Sequence, residues 1–222
     1  MRLVSIQVGL PRSHGPGWTT GYGKAPVRGP VRVGRENLEG DGQADRRWHG
    51  GPDMAVLAYP EEHYARWREE LDWSGLPYGG FGENLTVAGT SEESACLGDV
   101  WRGGTALLQI SEPRKPCRNI SRFWGRPGLL RLVERTGRHG FYLRVLEQGV
   151  VETEQEIRLV ERPHPEWSVA RAMAARRNAA RDPAEVEALL RVPSLGDDWG
   201  DHLLRAMRRP RPLRKRNGPR EA

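Results

Sequence analysis

The apolar residues of this chain occur mainly in short runs that are separated by glycine and proline. Within several runs apolar and polar residues alternate, which is typical of a strand with one buried face. Many short strands joined by Gly/Pro turns favour a barrel-like sheet. The predicted strands cover residues 3–8, 26–33, 55–59, 84–87, 105–110, 140–146 and 155–160.

A few helices are predicted among these strands. Pro60 followed by Glu61 and Glu62 is typical of a helix N-terminus, because proline fits the first turn and acids complement its positive end. A second helix is predicted near 129–133. The sequence therefore predicts a mainly β, barrel-like domain with a few helices over residues 1–163.

Beyond Pro165 the composition shifts to alanine, leucine and arginine with helical spacing. Asp182 followed by Pro183 has the form of an N-cap and a first-turn proline. Helices this short are unstable alone in water, so they must pack on one another or on the sheet. The pattern predicts a small all-α, three-helix domain over 164–207, with stripes at Trp167, Ala170, Met173 and Ala174, at Val186, Leu189 and Leu190, and at Trp199, Leu203 and Met207.

The net charge of +6 is concentrated at the C-terminus. Residues 208–222 carry seven basic side chains and one acidic side chain, which leaves 28 of each in the rest of the chain. A proline-rich basic segment with few apolar residues is expected to be disordered. Nucleic-acid binding is therefore expected, if at all, only through this basic tail.

No apolar run reaches the length of a membrane span, and the N-terminus lacks the apolar core of a signal peptide. We therefore expect a cytoplasmic protein without membrane contact. Cys96 and Cys117 are too few for a disulfide framework, and we interpret both as reduced thiols.

The segment 111–118 places Cys117 among two prolines and three cations. Nearby cations favour the thiolate, and prolines restrict how far the loop can move. These features suit a metal ligand or a nucleophile. An inert packing thiol is an equal alternative on the residues alone, a role for which Cys96 is the better candidate. The three cations are Arg114, Lys115 and Arg118.

The connection 40–53 carries three carboxylates, two arginines, a histidine and four glycines. Loops this long are usually functional, although the acids could equally bond their own backbone as Asx-turns. Its candidate functional residues are Asp41, Asp45 and His49. Two other glycine-rich loops lack the spacing of phosphate-binding motifs, and in them only Lys24 offers a positive charge for an anion.

Four sequence blocks, at 20–31, 40–53, 81–85 and 113–117, resemble in residues and order those of the MOSC family. The family is named after the C-terminal domain of molybdenum-cofactor sulfurase, and the resemblance is to its YiiM-like branch. It implies a β-strand-rich, barrel-like fold, to which the YiiM-like branch adds a three-helix C-terminal domain.

The resemblance also implies a bound molybdenum cofactor of the molybdopterin type. Cys117 is the expected molybdenum ligand, because a thiolate is a soft donor that suits such a centre. Met54 and Asn119 stand where relatives are expected to carry basic residues. The resemblance assigns cofactor binding to Lys24, Arg114, Lys115, Glu83 and Asn84, and catalysis to Cys117, His49, Asp41 and Asp45.

The implied activity is the reduction of small N-hydroxylated bases or amines to the parent amine. His49 is the favoured proton donor, because histidine ordinarily titrates near neutrality, with Asp41 or Asp45 as alternatives. No flavin, haem or iron–sulfur motif is found, so a separate reductase is expected to supply electrons.

An alternative is a carrier of molybdenum cofactor or sulfur without turnover of its own, in which Cys117 holds cofactor in transit or a persulfide. Pyridoxal phosphate is not expected: Lys24 could form an imine, but no residue pattern demands it.

Overall fold

The computed structural model describes residues 1–208 of the chain. Its main element is a curled eight-stranded sheet with helices around it, accompanied by two small two-stranded sheets. The predicted mainly β fold with an all-α C-terminal part is confirmed. The strands are β1 (Arg2–Val8), β2 (Arg12–Ser13), β3 (Thr19–Thr20), β4 (Ala25–Pro26), β5 (Val31–Val33), β6 (Val56–Pro60), β7 (Leu85–Ala88), β8 (Val100–Gly103), β9 (Ala106–Pro113), β10 (Phe141–Glu147), β11 (Gly149–Val151) and β12 (Ile157–Glu161).

The strand order of the large sheet is β12-β8-β9-β10-β6-β7-β1-β4, and only β6 and β7 run parallel. The sheet curls until β1 meets the segment that leads into β12. There the backbone N–H of Leu3 donates to the carbonyl of Gln155 (3.0 Å), and that of Ile157 donates to the carbonyl of Met1 (2.9 Å). The result is a half-barrel whose core is filled by side chains of both ends of the sheet.

The single run predicted at 26–33 is divided in the structure. Gly29 has a φ of 77°, which turns the chain and separates β4 from β5. β4 pairs with β1 in the large sheet, whereas β5 pairs with β11 in a separate one. Alternation therefore identified both strands but could not show that they have different partners.

Helices before the C-terminal part are α1 (Arg46–His49), α2 (Glu62–Glu70), α3 (Asn119–Phe123) and α4 (Leu129–Thr136), with a 3-10 helix at Pro52–Met54. The two predicted helices are thus present as α2 and α4. Pro60 ends β6, and α2 begins two residues later at Glu62.

The C-terminal part contains the three predicted helices, α5 (Val169–Asn178), α6 (Pro183–Leu190) and α7 (Asp197–Met207). The Asp182 side chain caps α6 by accepting from the N–H of Glu185. Of the predicted stripes, those on α6 and α7 are largely buried. On α5 the buried face is Val169, Ala172, Met173 and Ala175, so Ala170 and Ala174 are offset from it.

These helices pack on the sheet as well as on one another. One hydrophobic cluster contains Trp167 and Trp199 together with Leu108 and Ile110 of β9. The indole N–H of Trp199 also donates to the carbonyl of Pro113 at the end of β9 (2.8 Å). The hydrophobic core is continuous across residue 163. The division into units 1–163 and 164–207 stays a prediction.

No helix within residues 1–208 is long and apolar enough to cross a membrane. Apart from Arg208, the predicted basic tail at 208–222 lies outside the described residues.

Candidate functional site

A cavity opens where the end of β9 approaches the 40–53 connection. Its volume of about 130 Å³ is roughly ten times the space of about 10–15 Å³ that one water molecule needs, so it can admit a larger ligand. The lining comprises Thr19, Thr20, Gly21, Tyr22, Lys24, Asp41, Gly42, Gln43, Ala44, Asp45, His49, Met54, Leu57, Gly82, Asn84, Arg114, Lys115, Cys117, Asn119 and Tyr142.

Cys117 lies four residues beyond the end of β9 and two residues before the start of α3 at Asn119. Burial raises the pKa of its thiol. A hydrogen bond from His49, the charge of Arg114 and the backbone N–H of Asn119 outweigh burial and lower that pKa to about 7. A substantial fraction of Cys117 is therefore thiolate at neutral pH, as metal binding and nucleophilic attack both require.

Arg114 is 4% exposed and lines the cavity. Within residues 1–208, no carboxylate lies within salt-bridge distance of its guanidinium, which donates to the carbonyl of His139 (3.5 Å). Burial lowers the pKa of Arg114, but the surrounding phenols and the Cys117 thiol raise it more, so the side chain stays charged. A buried cation without a carboxylate partner favours binding of an anion. We call Arg114, Cys117 and His49 the cysteine wall.

A second group of residues that line the cavity comprises Lys24, Asp41 and Asn84, which we call the paired wall. Lys24 forms an ion pair with Asp41, and both side chains are almost fully buried. Asp41 also accepts from the N–H of Gly9 (2.9 Å) and from the amide of Asn84 (2.9 Å). Burial lowers the pKa of Lys24, against the opposing effect of Asp41. The charges of Lys24 and Asp41 therefore largely compensate each other.

Glu83 does not line the cavity, unlike the other predicted site residues. Its buried carboxylate accepts from the N–H groups of Gly79 (2.7 Å) and Phe81 (3.2 Å) and from the hydroxyls of Tyr64 and Thr86. These donors occupy the carboxylate and hold the 79–82 loop against the sheet, so Glu83 has a structural role, and its contact with a cofactor stays a prediction.

His49 and Asp45 sit at the two ends of α1. Asp45 caps the helix by accepting from the N–H of Arg47 (3.2 Å), and its side chain remains partly exposed. His49 ends the helix and contacts the Cys117 thiol. The structure thus brings His49 to the reactive sulfur and leaves Asp45 at the rim.

Lys115 lines the mouth of the cavity, where its Nζ lies 2.8 Å from Nε2 of His202 on α7. Sequence reasoning missed His202. It also missed Tyr22, which is buried, and Tyr142, which is half-buried; both phenols lie near Arg114 and line the cavity. Burial raises the pKa of Tyr142 to about 12, so its phenol is neutral. Tyr142 alternates with the core residues of β10, a pattern that could have identified it.

Cys96 provides the contrast expected from the sequence. It is buried in the main core, and burial together with Asp99 raises the pKa of its thiol. Both cysteines are free thiols in the structure. The position of Cys96 is consistent with simple packing.

Residues 45–158 match the sequence model of the MOSC domain. The "Uncharacterized protein YflK" of Bacillus subtilis is 40% identical over 200 residues, which cover 89% of this chain and 90% of that protein. "Protein YiiM" of Escherichia coli is 31% identical over 198 residues, 88% of each chain. A protein of Gibberella moniliformis named "Reductase" is 40% identical over 144 residues, 64% of this chain and 26% of that protein.

Solved structures agree with this similarity. The crystal structure of YiiM from Geobacillus stearothermophilus has a TM-score of 0.80 and 34% identity, and the match covers 93% of this chain and 98% of that one. The match therefore extends through the sheet and the C-terminal helices.

Proposed function

This chain belongs to the MOSC domain family, and from that premise and the geometry of the cavity we propose that it is a molybdenum-cofactor-dependent oxidoreductase. Its reaction would reduce N-hydroxylated bases or amines to the parent amine. The observation that carries the proposal is that Cys117, whose thiol has a pKa of about 7, lines one cavity together with buried Arg114, which has no carboxylate partner in residues 1–208. The fungal relative named a reductase supports an oxidoreductase role.

The side chains of the cavity fit such a cofactor. Cys117 supplies one soft donor, and Arg114 supplies a positive charge for an anionic group. In residues 1–208 no group of three or more His, Cys, Asp or Glu side chains is placed to hold a metal ion. A metal bound to Cys117 would therefore take its other ligands from the cofactor.

When bound, the cofactor would supply a reduced metal that accepts the oxygen of the N–OH group. The overall reaction consumes two electrons and two protons for each amine and water formed. Electrons would come from a separate reductase.

The chain's own residues would hold the cofactor, fix the shape of the cavity and supply a proton to the leaving amine. Arg114 would neutralise an anionic group of the cofactor and stabilise negative charge that develops beside Cys117. Lys24 is positioned by Asp41, and Asn84 holds Asp41 in turn, so the paired wall fixes the shape of the cavity. His49 would hold the proton for the leaving amine, because it is the predicted acid that contacts the thiol.

Measuring the reduction of an N-hydroxylated base tests the proposed activity. Protein from a host that makes molybdenum cofactor would be incubated with an N-hydroxylated purine base and dithionite, and the parent amine would be measured. We expect amine formation that is absent when the host cannot make the cofactor. Molybdenum-loaded protein without turnover would contradict the proposal and favour the carrier role.

A further inference from the structure

Arg114 is held in place by the turn that precedes β10. Its backbone N–H donates to the carbonyl of Gly140 (3.1 Å), and its guanidinium donates to the carbonyl of His139 (3.5 Å). The guanidinium also contacts the phenol of Tyr22, which lines the cavity. The position of this cation at the cavity therefore depends on how firmly the 139–140 turn is held.

The turn requires glycine at position 140. The φ of Gly140 is 76°, and a Cβ there would lie 2.6 Å from the carbonyl oxygen of Ala58 on β6. Nδ1 of His139 donates to the Gly140 carbonyl (2.8 Å), the same oxygen that accepts from the N–H of Arg114. The N–H of Gly140 is buried as well, so it also requires a partner.

Glu92 supplies that partner. It is 1% exposed, and one oxygen of its carboxylate accepts from the N–H of Gly140 (2.7 Å). The other oxygen lies 2.7 Å from Nε2 of His63 on α2. The backbone carbonyl of Glu92 accepts from the N–H of Ala170 at the start of α5 (2.8 Å). Glu92 thus joins α2, α5 and the 139–140 turn, which are far apart in the sequence.

The carboxylate of Glu92 stays charged in this environment. Burial raises its pKa, but its interactions with His63 and His139 and the N–H of Gly140 outweigh burial and lower the pKa. Because burying a carboxylate costs desolvation energy, a buried pair of this kind is weak evidence for stability. Its charge-assisted hydrogen bonds are strong and directional, which suits it to hold a neighbouring group at a fixed place.

Glu92 and His63 do not line the cavity of Cys117. They line a separate cavity of about 540 Å³. His63 orients the carboxylate of Glu92, and that carboxylate holds the N–H of the turn. The turn then holds Arg114 through its backbone and its guanidinium. Glu92 can therefore affect a ligand in the cavity either through Arg114 or through its own negative charge.

We propose that Glu92 is a positioning residue, which together with His63 fixes Arg114 at the cavity so that its charge is available to an anionic ligand beside Cys117. The consequence for cofactor binding rests on the proposed function, whereas the effect on Arg114 does not. The thiol of Cys117 reports the position of this charge, because Arg114 lowers its pKa. It can therefore serve as a probe in protein that contains no cofactor.

The test measures alkylation of Cys117 by iodoacetamide against pH in the cofactor-free full chain. Glu92→Ala removes the acceptor of the Gly140 N–H, so Arg114 is no longer held and the midpoint of alkylation should rise by about half to one pH unit. Glu92→Gln keeps an oxygen that can accept from the same N–H, so its midpoint should not rise. Mass spectrometry would follow the reaction at Cys117.

The two variants separate position from charge. Both remove the negative charge of Glu92, and the loss of a negative charge alone favours the thiolate and lowers the midpoint in both. A midpoint that does not rise in Glu92→Ala, or that shifts equally in the two variants, would overturn the proposal.

Asp99→Ala is the matched control for the loss of a buried carboxylate. Asp99 is 0% exposed and, like Glu92, accepts from a backbone N–H, that of Cys96 (3.0 Å), and pairs with a basic side chain, that of Arg162 (2.7 Å). These partners belong neither to the cavity nor to the 139–140 turn. The control should keep the wild-type midpoint at a similar loss of thermal stability. An equal rise in both variants would show that Glu92 is merely structural.

The double variant Glu92→Met/His63→Leu keeps the proposal testable if Glu92→Ala does not fold. It replaces the pair by apolar side chains of similar volume, which generally preserves packing. Loss of the whole pair does not raise the midpoint through charge, because it removes no net positive charge. A rise therefore supports positioning, and an unchanged or lower midpoint in this folded variant would contradict it.

Pterin retention by protein from a cofactor-competent host tests the link to the proposed function. Folded Glu92→Ala should retain about tenfold less pterin than the wild type, as expected for loss of an outer-shell partner. A raised midpoint with unchanged pterin retention would confirm that Glu92 positions Arg114 and would contradict the role of Arg114 in holding the cofactor. Failure of one proposal is thus distinguishable from failure of the other.

Discussion

The two walls of the cavity carry similar residues and use them differently. In the paired wall, Lys24 is matched by Asp41, and Asp41 is held by two further donors. In the cysteine wall, Arg114 has no carboxylate partner among residues 1–208, and Cys117 has a pKa of about 7. Lysine and arginine that look equivalent in the sequence therefore differ: one charge stabilises the fold, and the other is available to a ligand.

The contrast between partnered and unpartnered buried groups also applies to Glu112 on β9. Glu112 precedes Arg114 by two residues and has a buried oxygen, Oε2, without a hydrogen-bond partner. Unsatisfied buried groups cost stability and are typical of functional sites. We infer that the end of β9 is maintained at the expense of stability, whereas the paired wall contributes to it.

Replacing Cys117 should have the largest effect on function. Cys117→Ala removes the thiolate of the cysteine wall, so molybdenum retention and amine formation should each fall by more than about a hundredfold, beyond the usual loss from an outer-shell change. Metal analysis and turnover would measure this. Cys96→Ala is the matched control and should retain both properties; equal retention by the two variants would refute the ligand role.

Exchanging one cation in each wall tests the comparison itself. Lys24→Met leaves the Asp41 carboxylate buried without its partner, so the free energy of unfolding should fall by about 2–4 kcal/mol. Arg114→Met removes a buried charge that lacks a carboxylate partner, so the free energy of unfolding should rise by about 1–4 kcal/mol. Urea titration would measure both.

For cofactor binding, the two variants should rank in the opposite order from their effects on stability. Arg114→Met should reduce pterin retention more strongly than Lys24→Met does when each is measured on folded protein. Equal losses of stability in the two variants would show that the walls do not differ as described.

Glu112→Gln should stabilise the protein at neutral and alkaline pH. The folded-state pKa of about 8 lies above the reference value of 4.5, so the native state keeps a proton that the unfolded state has lost. Stability therefore falls as pH rises from 4.5 to 8. The glutamine variant lacks this dependence and should gain about 1–3 kcal/mol at pH 8. Unchanged stability across this range would argue against a buried protonated Glu112.

The smallest effect concerns thiol reactivity. Because the pKa of Cys117 is about 7, its alkylation by iodoacetamide in cofactor-free protein should rise with a midpoint near neutrality. His49→Gln removes the hydrogen bond that favours the thiolate, so alkylation at pH 7 should slow about twofold to fivefold. Mass spectrometry would follow both cysteines, and Cys96 should stay unmodified in folded protein.

Local sequence patterns predicted most of the fold. Alternation and short apolar runs located most of the large strands, and the Asp182–Pro183 cap located α6, because these signals depend on neighbouring residues. β8 was missed, since Val100–Gly103 is a four-residue strand whose sheet position depends on β9 and β12. Pairing between distant segments has no local signal.

In the functional site, too, local sequence signals were informative and contacts between distant segments were not predictable. The motif around Cys117 identified the reactive thiol and its cationic neighbours. It could not show that Asp41 is occupied by three donors, that Glu83 supports a loop, or that His202 approaches from α7, because each depends on contacts between distant parts of the chain. The sequence thus indicated which residues have reactive or charged side chains. Contacts in the folded chain decide which of these side chains are available to a ligand.

The most direct measurement is the molybdenum and pterin content of full-length wild-type protein purified from a cofactor-competent host. We predict close to one molybdenum and one pterin per chain, because each chain contributes one such thiol and one such arginine. Folded protein that contains neither, while a known molybdoenzyme from the same host is loaded, would contradict the assignment of the cysteine wall as a cofactor site.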